Sequence, residues 1–241
     1  MQKKIIKTPT LGVNAKSYMW GQQLLDIALY CEKIAVENDI TITLNTPFLD
    51  IYRISQNCPH VLINAQGVDA IGSCGKMGGI VPEALVAAGA DGVIINHAAR
   101  PMTLSEVVKT VKRCKELGLY TFVCADTVEE VKMIASLHPT GIICEETSHI
   151  GTGKVSDTTY IETTTKAIKE YDPNILVMQG AGIKTADDIY RNISLGSESG
   201  GGASGIFCSG DPKKAIDNFL SGILRARKDF GSRIVKDELH D

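Results

Sequence analysis

A carboxylate at the end of an apolar run, with two glycines a few positions on, brings together groups that can move a proton and hold an anion. The stretch is Glu145-Glu146-Thr147-Ser148-His149-Ile150-Gly151-Thr152-Gly153-Lys154. Ile142-Ile143-Cys144 before it reads as a buried strand, so Glu145 stands at a strand's carboxyl end, where parallel α/β folds place their reacting groups. Glu145 is therefore a candidate base. Gly151-Thr152-Gly153 can bring bare backbone N–H groups against an anion, since glycine accepts positive φ and has no side chain to block approach. By position alone, Glu145 could equally be a helix cap or a surface acid.

The elements that must position these groups form a repeating pattern. Short β-rich runs alternate with longer amphipathic segments, as expected of βα units with parallel strands. Strands are expected at residues 10–13, 40–44, 61–65, 92–96, 120–124, 141–144, 175–179 and 205–208. Thr103-Leu104-Ser105-Glu106 and Thr127-Val128-Glu129-Glu130 fit the capping box, and Pro82 and Pro212 suit a first helical turn. Gly89 and Gly118 stand where left-handed helix caps belong. Eight such units in 241 residues point to one α/β domain, a closed (β/α)8 TIM barrel spanning 1–241, rather than an open doubly wound sheet. The Gly/Ser-rich stretch 197–202 breaks the rhythm and reads as a mobile surface insertion at the barrel's lower, N-terminal face.

With 44% hydrophobic and 22% charged residues the chain can bury a large core. A net charge of −3 with dispersed Lys and Arg argues against a nucleic-acid partner. The basic start lacks an apolar signal core and no long apolar run follows, so no membrane association is expected and the chain reads as cytoplasmic. Seven cysteines with no CxxC pair read as free thiols. Lys236-Asp237-Glu238-Leu239 spells an ER-retention signal, but not at the chain end where a receptor would read it.

Taking the residues just after each expected strand collects a set of reactive groups. Asn14 and Lys16 follow the first, Asn96 and His97 the fourth, Glu145 the sixth, Gly180, Ala181 and Gly182 the seventh, and Ser209 and Gly210 the eighth. A carboxylate, an imidazole, a lysine and amide-rich turns together could abstract a proton, polarise a carbonyl and hold a phosphate. His97 alone could be a buried structural histidine and Lys16 a solvated one; their joint placement is what speaks for a site. His60, His138 and His240 lack such company and read as structural or exposed.

From about Thr10 to about Lys228 these motifs resemble the triosephosphate isomerase family, particularly its shorter archaeal-type form. Asn14-Ala15-Lys16 matches the family's Asn-x-Lys, and Asn96-His97 the pair carrying its electrophilic histidine. Glu145 with Gly151-Thr152-Gly153 six residues on matches its catalytic Glu and hinged lid, and Gly180-Ala181-Gly182-Ile183 its phosphate loop. Ala65-Gln66 and Pro82-Glu83-Ala84 also look like family segments. The resemblance implies that Glu145 moves a proton between neighbouring carbons of a small sugar phosphate through an enediolate. Neutral His97 would serve the oxygens, helped by Asn14 and Lys16, while a lid over residues 146–154 excludes water. It implies no metal or organic cofactor, a place in glycolysis and gluconeogenesis, and a homodimer or homotetramer. Phosphate ligands would be Gly151, Gly180, Ala181, Gly182, Ser209 and Gly210. Gly201-Gly202-Ala203-Ser204 spells another family phosphate loop, but by the expected strand order it lies on the wrong face.

The chain also departs from the family. Ala98-Ala99 stands where the family has Ser-Glu, Glu146 where it has a hinge proline, and Met77 with Gly78-Gly79 where it has Thr-Gly-Glu or Thr-Gly-His at a dimer contact. Three functions stay open on the sequence: a triosephosphate isomerase, a paralogous isomerase of another small sugar phosphate such as a tetrulose phosphate, or a catalytically silent barrel that binds a phosphorylated ligand.

Overall fold

The computed structural model describes residues 3–70 and 77–235. Ser73 to Lys76 of the loop after the third strand, with Cys74, and the terminal 236–241, with His240, lie outside them.

Eight strands run in parallel: β1 (Thr10–Asn14), β2 (Ile42–Thr46), β3 (Leu62–Ala65), β4 (Gly92–Ile95), β5 (Tyr120–Ala125), β6 (Gly141–Cys144), β7 (Leu176–Gln179) and β8 (Ser199–Gly202). Their order is β7-β6-β5-β4-β3-β2-β1-β8, which brings the first strand against the last. The helices are α1 (Gly21–Asn38), α2 (Ile51–Ser55), α3 (Pro82–Ala87), α4 (Leu104–Glu116), α5 (Val128–Ala135), α6 (Thr158–Tyr171), α7 (Ala186–Ser194), α8 (Ser204–Phe207) and α9 (Pro212–Phe230). Each strand is followed by at least one helix, giving a nearly closed (β/α)8 barrel.

Local signals account for many of the boundaries. Thr103 and Glu106 exchange the reciprocal bonds of a capping box at the start of α4. Thr127 caps Glu130, but Glu130 reaches back to the Asp126 N–H instead, at 2.6 Å. Pro82 and Pro212 open α3 and α9, and Gly89 and Gly118 take φ of 88° and 78° after α3 and α4. Alternate strand residues then separate two packing layers. Ile63, Val93, Ile95, Val123 and Val177 face the helices, while Leu62, Ile94, Phe122, Cys124 and Leu176 fill the barrel interior over a floor of Ile6 and Val235.

The last strand is not where an apolar run predicts it. Residues 205–207 belong to α8 and Cys208 caps it, with Ile206 buried and Phe207 stacked on Tyr18 at 6.4 Å. A short apolar run cannot by itself be told from a buried helical turn. The strand is instead the glycine-rich Ser199–Gly202, so residues 197–202 are not a mobile insertion. Ser197 and Ser199 are buried, and the Thr10 hydroxyl donates to Ser199 Oγ at 2.9 Å. Its glycines answer close approach: a Cβ on Gly201 would collide with the Gly12 carbonyl, and one on Gly200 would lie 2.6 Å from Ile189 Cγ2.

Glu198 bridges the remaining seam to β7. Its N–H donates to the Val177 carbonyl at 2.7 Å, and its Oε2 accepts from the Val177 N–H at 3.0 Å and from Lys169 Nζ at 2.7 Å. Arg233 holds its other oxygen.

Candidate active site

The strand ends at the upper mouth bring the candidate side chains around one cavity. Asn14 and Lys16 leave β1, His97 follows β4, Glu145 follows β6, and Gly180 and Gly182 follow β7; all line it, as do Gly151 and Gly153 of the loop after β6. Glu145 is held where β6 ends by its N–H donating to the Ala125 carbonyl at 2.9 Å.

The backbone at β1 is shaped to present Lys16, which sits in the left-handed region at φ 42°. Its N–H donates to Asn14 Oδ1 at 3.0 Å, and its carbonyl accepts from Gln66 Nε2 at 3.0 Å. The same Gln66 nitrogen also bonds the Asn45 carbonyl at 3.1 Å, tying the ends of β1, β2 and β3 together. Among the described residues no carboxylate pairs with Lys16 Nζ, because Ala98-Ala99 supplies none. The ammonium is therefore available to a ligand. Asn96, also left-handed at φ 60°, donates to the Cys124 carbonyl and accepts from the Met102 N–H, which sets the turn that carries His97.

His97 Nε2 lies 3.6 Å from Glu145 Oε2, and both side chains are largely buried. The Ala99 N–H donates to His97 Nδ1 at 3.0 Å. Nδ1 is thus an acceptor, and a neutral ring carries its proton on Nε2, facing the cavity. Burial, seconded by the Lys16 charge, pushes the imidazole below its usual 6.5 and favours that neutral form. Burial likewise lifts the Glu145 carboxyl above its usual 4.5; Lys16 opposes the rise and Asp126 adds to it. A carboxyl with a raised pKa beside an imidazole with a lowered one is the separation that suits proton transfer near neutrality.

Ser209 and Gly210 do not join them. They follow α8, not a strand; the Ser209 hydroxyl is spent on the Ile206 carbonyl, and neither residue lines the cavity. The place expected for them is taken by Gly201, Gly202, Ala203 and Ser204, at the end of β8 and the start of α8. Their sequence carried the signal, and only the misplaced strand hid it. Ala181 is buried in the turn between Gly180 and Gly182. Lys184 and Asn45 also line the cavity without having been singled out by spacing. A side cavity, reached past Asn14, Lys16 and His97, is lined by Ser17, Gln66, Ala98, Ala99, Arg100 and Thr147.

A carboxylate facing a neutral imidazole on a (β/α)8 barrel is an arrangement suited to shifting a hydrogen between neighbouring atoms, the chemistry of an isomerase. A sequence model of the family described as Triosephosphate isomerase matches residues 9–198. A Methanobacterium bryantii protein named triosephosphate isomerase is 36% identical over 225 residues, covering 91% of this chain and 99% of that one. Proteins of the same name from Sulfurisphaera tokodaii and Saccharolobus solfataricus are 33% and 34% identical, each covering 92% of this chain and 98% and 99% of their own. The chain belongs to the triosephosphate isomerase family.

Proposed function

We propose that the protein interconverts D-glyceraldehyde 3-phosphate and dihydroxyacetone phosphate, with Glu145 as base and neutral His97 as proton donor to the oxygens. The observation that carries this is the facing of His97 Nε2 and Glu145 Oε2 at 3.6 Å with Nδ1 already occupied by the Ala99 N–H. Glu145 takes the proton from the carbon beside the carbonyl and returns it to the neighbouring carbon. Meanwhile His97 Nε2–H stabilises charge on the carbonyl oxygen and relays a proton between the two oxygens. Lys16 offsets the developing negative charge, and Asn14 fixes the lysine's backbone. Gly151, Gly180, Ala181 and Gly182 supply phosphate donors, and Gly202, Ala203 and Ser204 take the part expected of Ser209 and Gly210.

The test is turnover of glyceraldehyde 3-phosphate in a coupled assay beside Glu145→Gln, which removes the base while keeping its shape. Efficient turnover lost by three or more orders of magnitude in the variant is expected. Absent turnover in the wild-type protein overturns the assignment. The side cavity beside Ala98-Ala99 favours a second reading, an aldotetrose phosphate as substrate, and the same assay with that sugar decides between them.

The assembly we propose is a homodimer or a tetramer built from such dimers. Trp20 after β1, Leu49 and Tyr52 after β2, and Met77 after β3 leave large apolar surface exposed on adjacent connections, Leu49 at 96% and Met77 at 103%. Light scattering on the purified protein tests it. Among the described residues no helix is long and apolar enough to cross a membrane; separately, membership of the family supports a place in glycolysis and gluconeogenesis and, with it, a cytoplasmic location.

A further inference from the structure

The lid departs from its family at its first hinge, and the structure supplies a physical counterpart to the missing proline. Glu146 has φ −60° and ψ 110° and opens a single 3-10 turn, Thr147–His149, in which the His149 N–H donates back to the Glu146 carbonyl at 2.8 Å. Thr147 and Ser148 are exposed, but the His149 side chain turns inward and is buried. Its Nδ1 lies 3.0 Å from Glu146 Oε2, a close polar contact without the geometry of a hydrogen bond, and both atoms are shielded from water with no hydrogen-bond partner among the described residues. The same residue anchors the far end of the lid. The His149 carbonyl accepts from the Thr152 N–H at 3.1 Å and from the Thr152 hydroxyl at 2.9 Å, and Thr152 Oγ1 accepts from the Lys154 N–H at 3.1 Å. His149 is therefore where the first hinge and the Gly151-Thr152-Gly153 turn meet.

We propose that the Glu146–His149 contact is a side-chain brace for the lid's first hinge, which holds Ile150 and Gly151 over the ligand and so keeps the enediolate from water. Both are positioning residues. Proline would restrict this hinge through its ring; here φ is already at the value a proline requires, and the restraint comes from the buried His149 ring set against the partly buried Glu146 carboxylate. The inference rests on the isomerase reading for its chemical consequence. An enediolate reached by water with the lid loosened expels phosphate. The C–O bond electrons leave with the phosphate, the enediolate's electron pair forms a new C=C bond, and tautomerisation gives methylglyoxal, with no oxidant or reductant consumed.

The experiment measures inorganic phosphate released per isomerisation turnover, kcat and KM on triose phosphate, and amide hydrogen exchange at residues 150–152. It compares the wild-type protein with Glu146→Ala, His149→Ala, Glu146→Ala/His149→Ala and Glu146→Pro. Expected is a rise of about tenfold or more in phosphate per turnover in each alanine variant. A fall in kcat larger than the change in KM and faster exchange at 150–152 should accompany it. The double variant should be no worse than either single one, and Glu146→Pro should return to near wild-type values. Single variants within twofold of wild type in both partition and exchange, or a Glu146→Pro as leaky as Glu146→Ala, overturn the brace. If the wild-type protein does not turn over triose phosphate, it is the functional reading that fails, and the exchange measurement still decides the brace.

Discussion

Replacing Gly180 by alanine adds one methyl group directly behind the proposed base. Gly180 has no positive φ to violate, and its N–H donates to the Cys144 carbonyl at 3.0 Å, so its backbone stays where it is. The new Cβ would lie 3.0 Å from Glu145 Cδ, 3.1 Å from its Cβ and 3.2 Å from Oε1. Carbon atoms rest at about 3.5 Å or more, so the carboxylate must retreat by about 0.5 Å. A misplacement of about 1 Å costs on the order of 100-fold in rate; half of that on a logarithmic scale is about tenfold, or about 1.4 kcal/mol of transition-state stabilisation. Overpacking adds an unfolding penalty of about 1–3 kcal/mol, which leaves the barrel folded at room temperature. Steady-state kinetics beside a thermal melt separates the two effects. The pH profile gives a third sign, because a carboxylate pushed toward water loses the desolvation that lifts its pKa, and the acid limb of kcat/KM should move to lower pH. A folded Gly180→Ala protein with wild-type kcat/KM would refute the placement of the base against β7.

Two other outcomes follow from the charges. In the wild-type protein kcat/KM should fall as pH drops through a Glu145 pKa above 4.5, and Lys16→Met should carry that limb to higher pH, since Lys16 is the group holding the value down; unchanged limbs in a pH–rate profile would count against the pairing. Glu198→Ala should cost about 1–3 kcal/mol in urea unfolding at pH 7, because Lys169 and Arg233, both partly exposed, lose their shared carboxylate at the β7–β8 seam and the Val177 N–H loses its acceptor. Desolvation pushes Glu198 up, but the bonds from Arg233 and Lys169 outweigh it and leave its pKa below 4.5. Its contribution is therefore present above pH 4.5 and lost as pH falls through the folded-state value, so the penalty should shrink in acid.

Seven of the strands could be read from apolar runs because both of their faces are covered, one by helices and one by the barrel interior. The eighth could not, because its residues are selected for what they leave out. Gly200 and Gly201 make room for Ile189 and Gly12, and a rule that reads Gly/Ser composition as slack chain inverts the meaning of such positions. One error then produced another. Counting 205–208 as the strand put the expected phosphate ligands at Ser209 and Gly210 and sent Gly201 to Ser204 to the wrong face, although those four residues line the cavity and Ser209 and Gly210 do not. That Asn14, Lys16, His97 and Glu145 share one cavity was legible because each is polar and stands near the end of an apolar run. The Ala99–His97 bond, the Gln66 tie and the Glu146–His149 contact were not, since each depends on a loop conformation that spacing does not determine.

The substitution of Ala98-Ala99 for the family's Ser-Glu changes what holds the site together more than what it can do. No carboxylate pairs with Lys16 among the described residues, so the lysine's position has to come from its backbone. It does: the left-handed φ, the Asn14 acceptor and the Gln66 donor all act on main-chain atoms of residue 16. The alanine pair meanwhile contributes through its own main chain, the Ala99 N–H fixing the tautomer of His97. A site positioned through peptide groups can do without a side-chain partner for its lysine. Lys16 here therefore depends on the Gln66 amide in the way that a paired lysine would depend on its carboxylate.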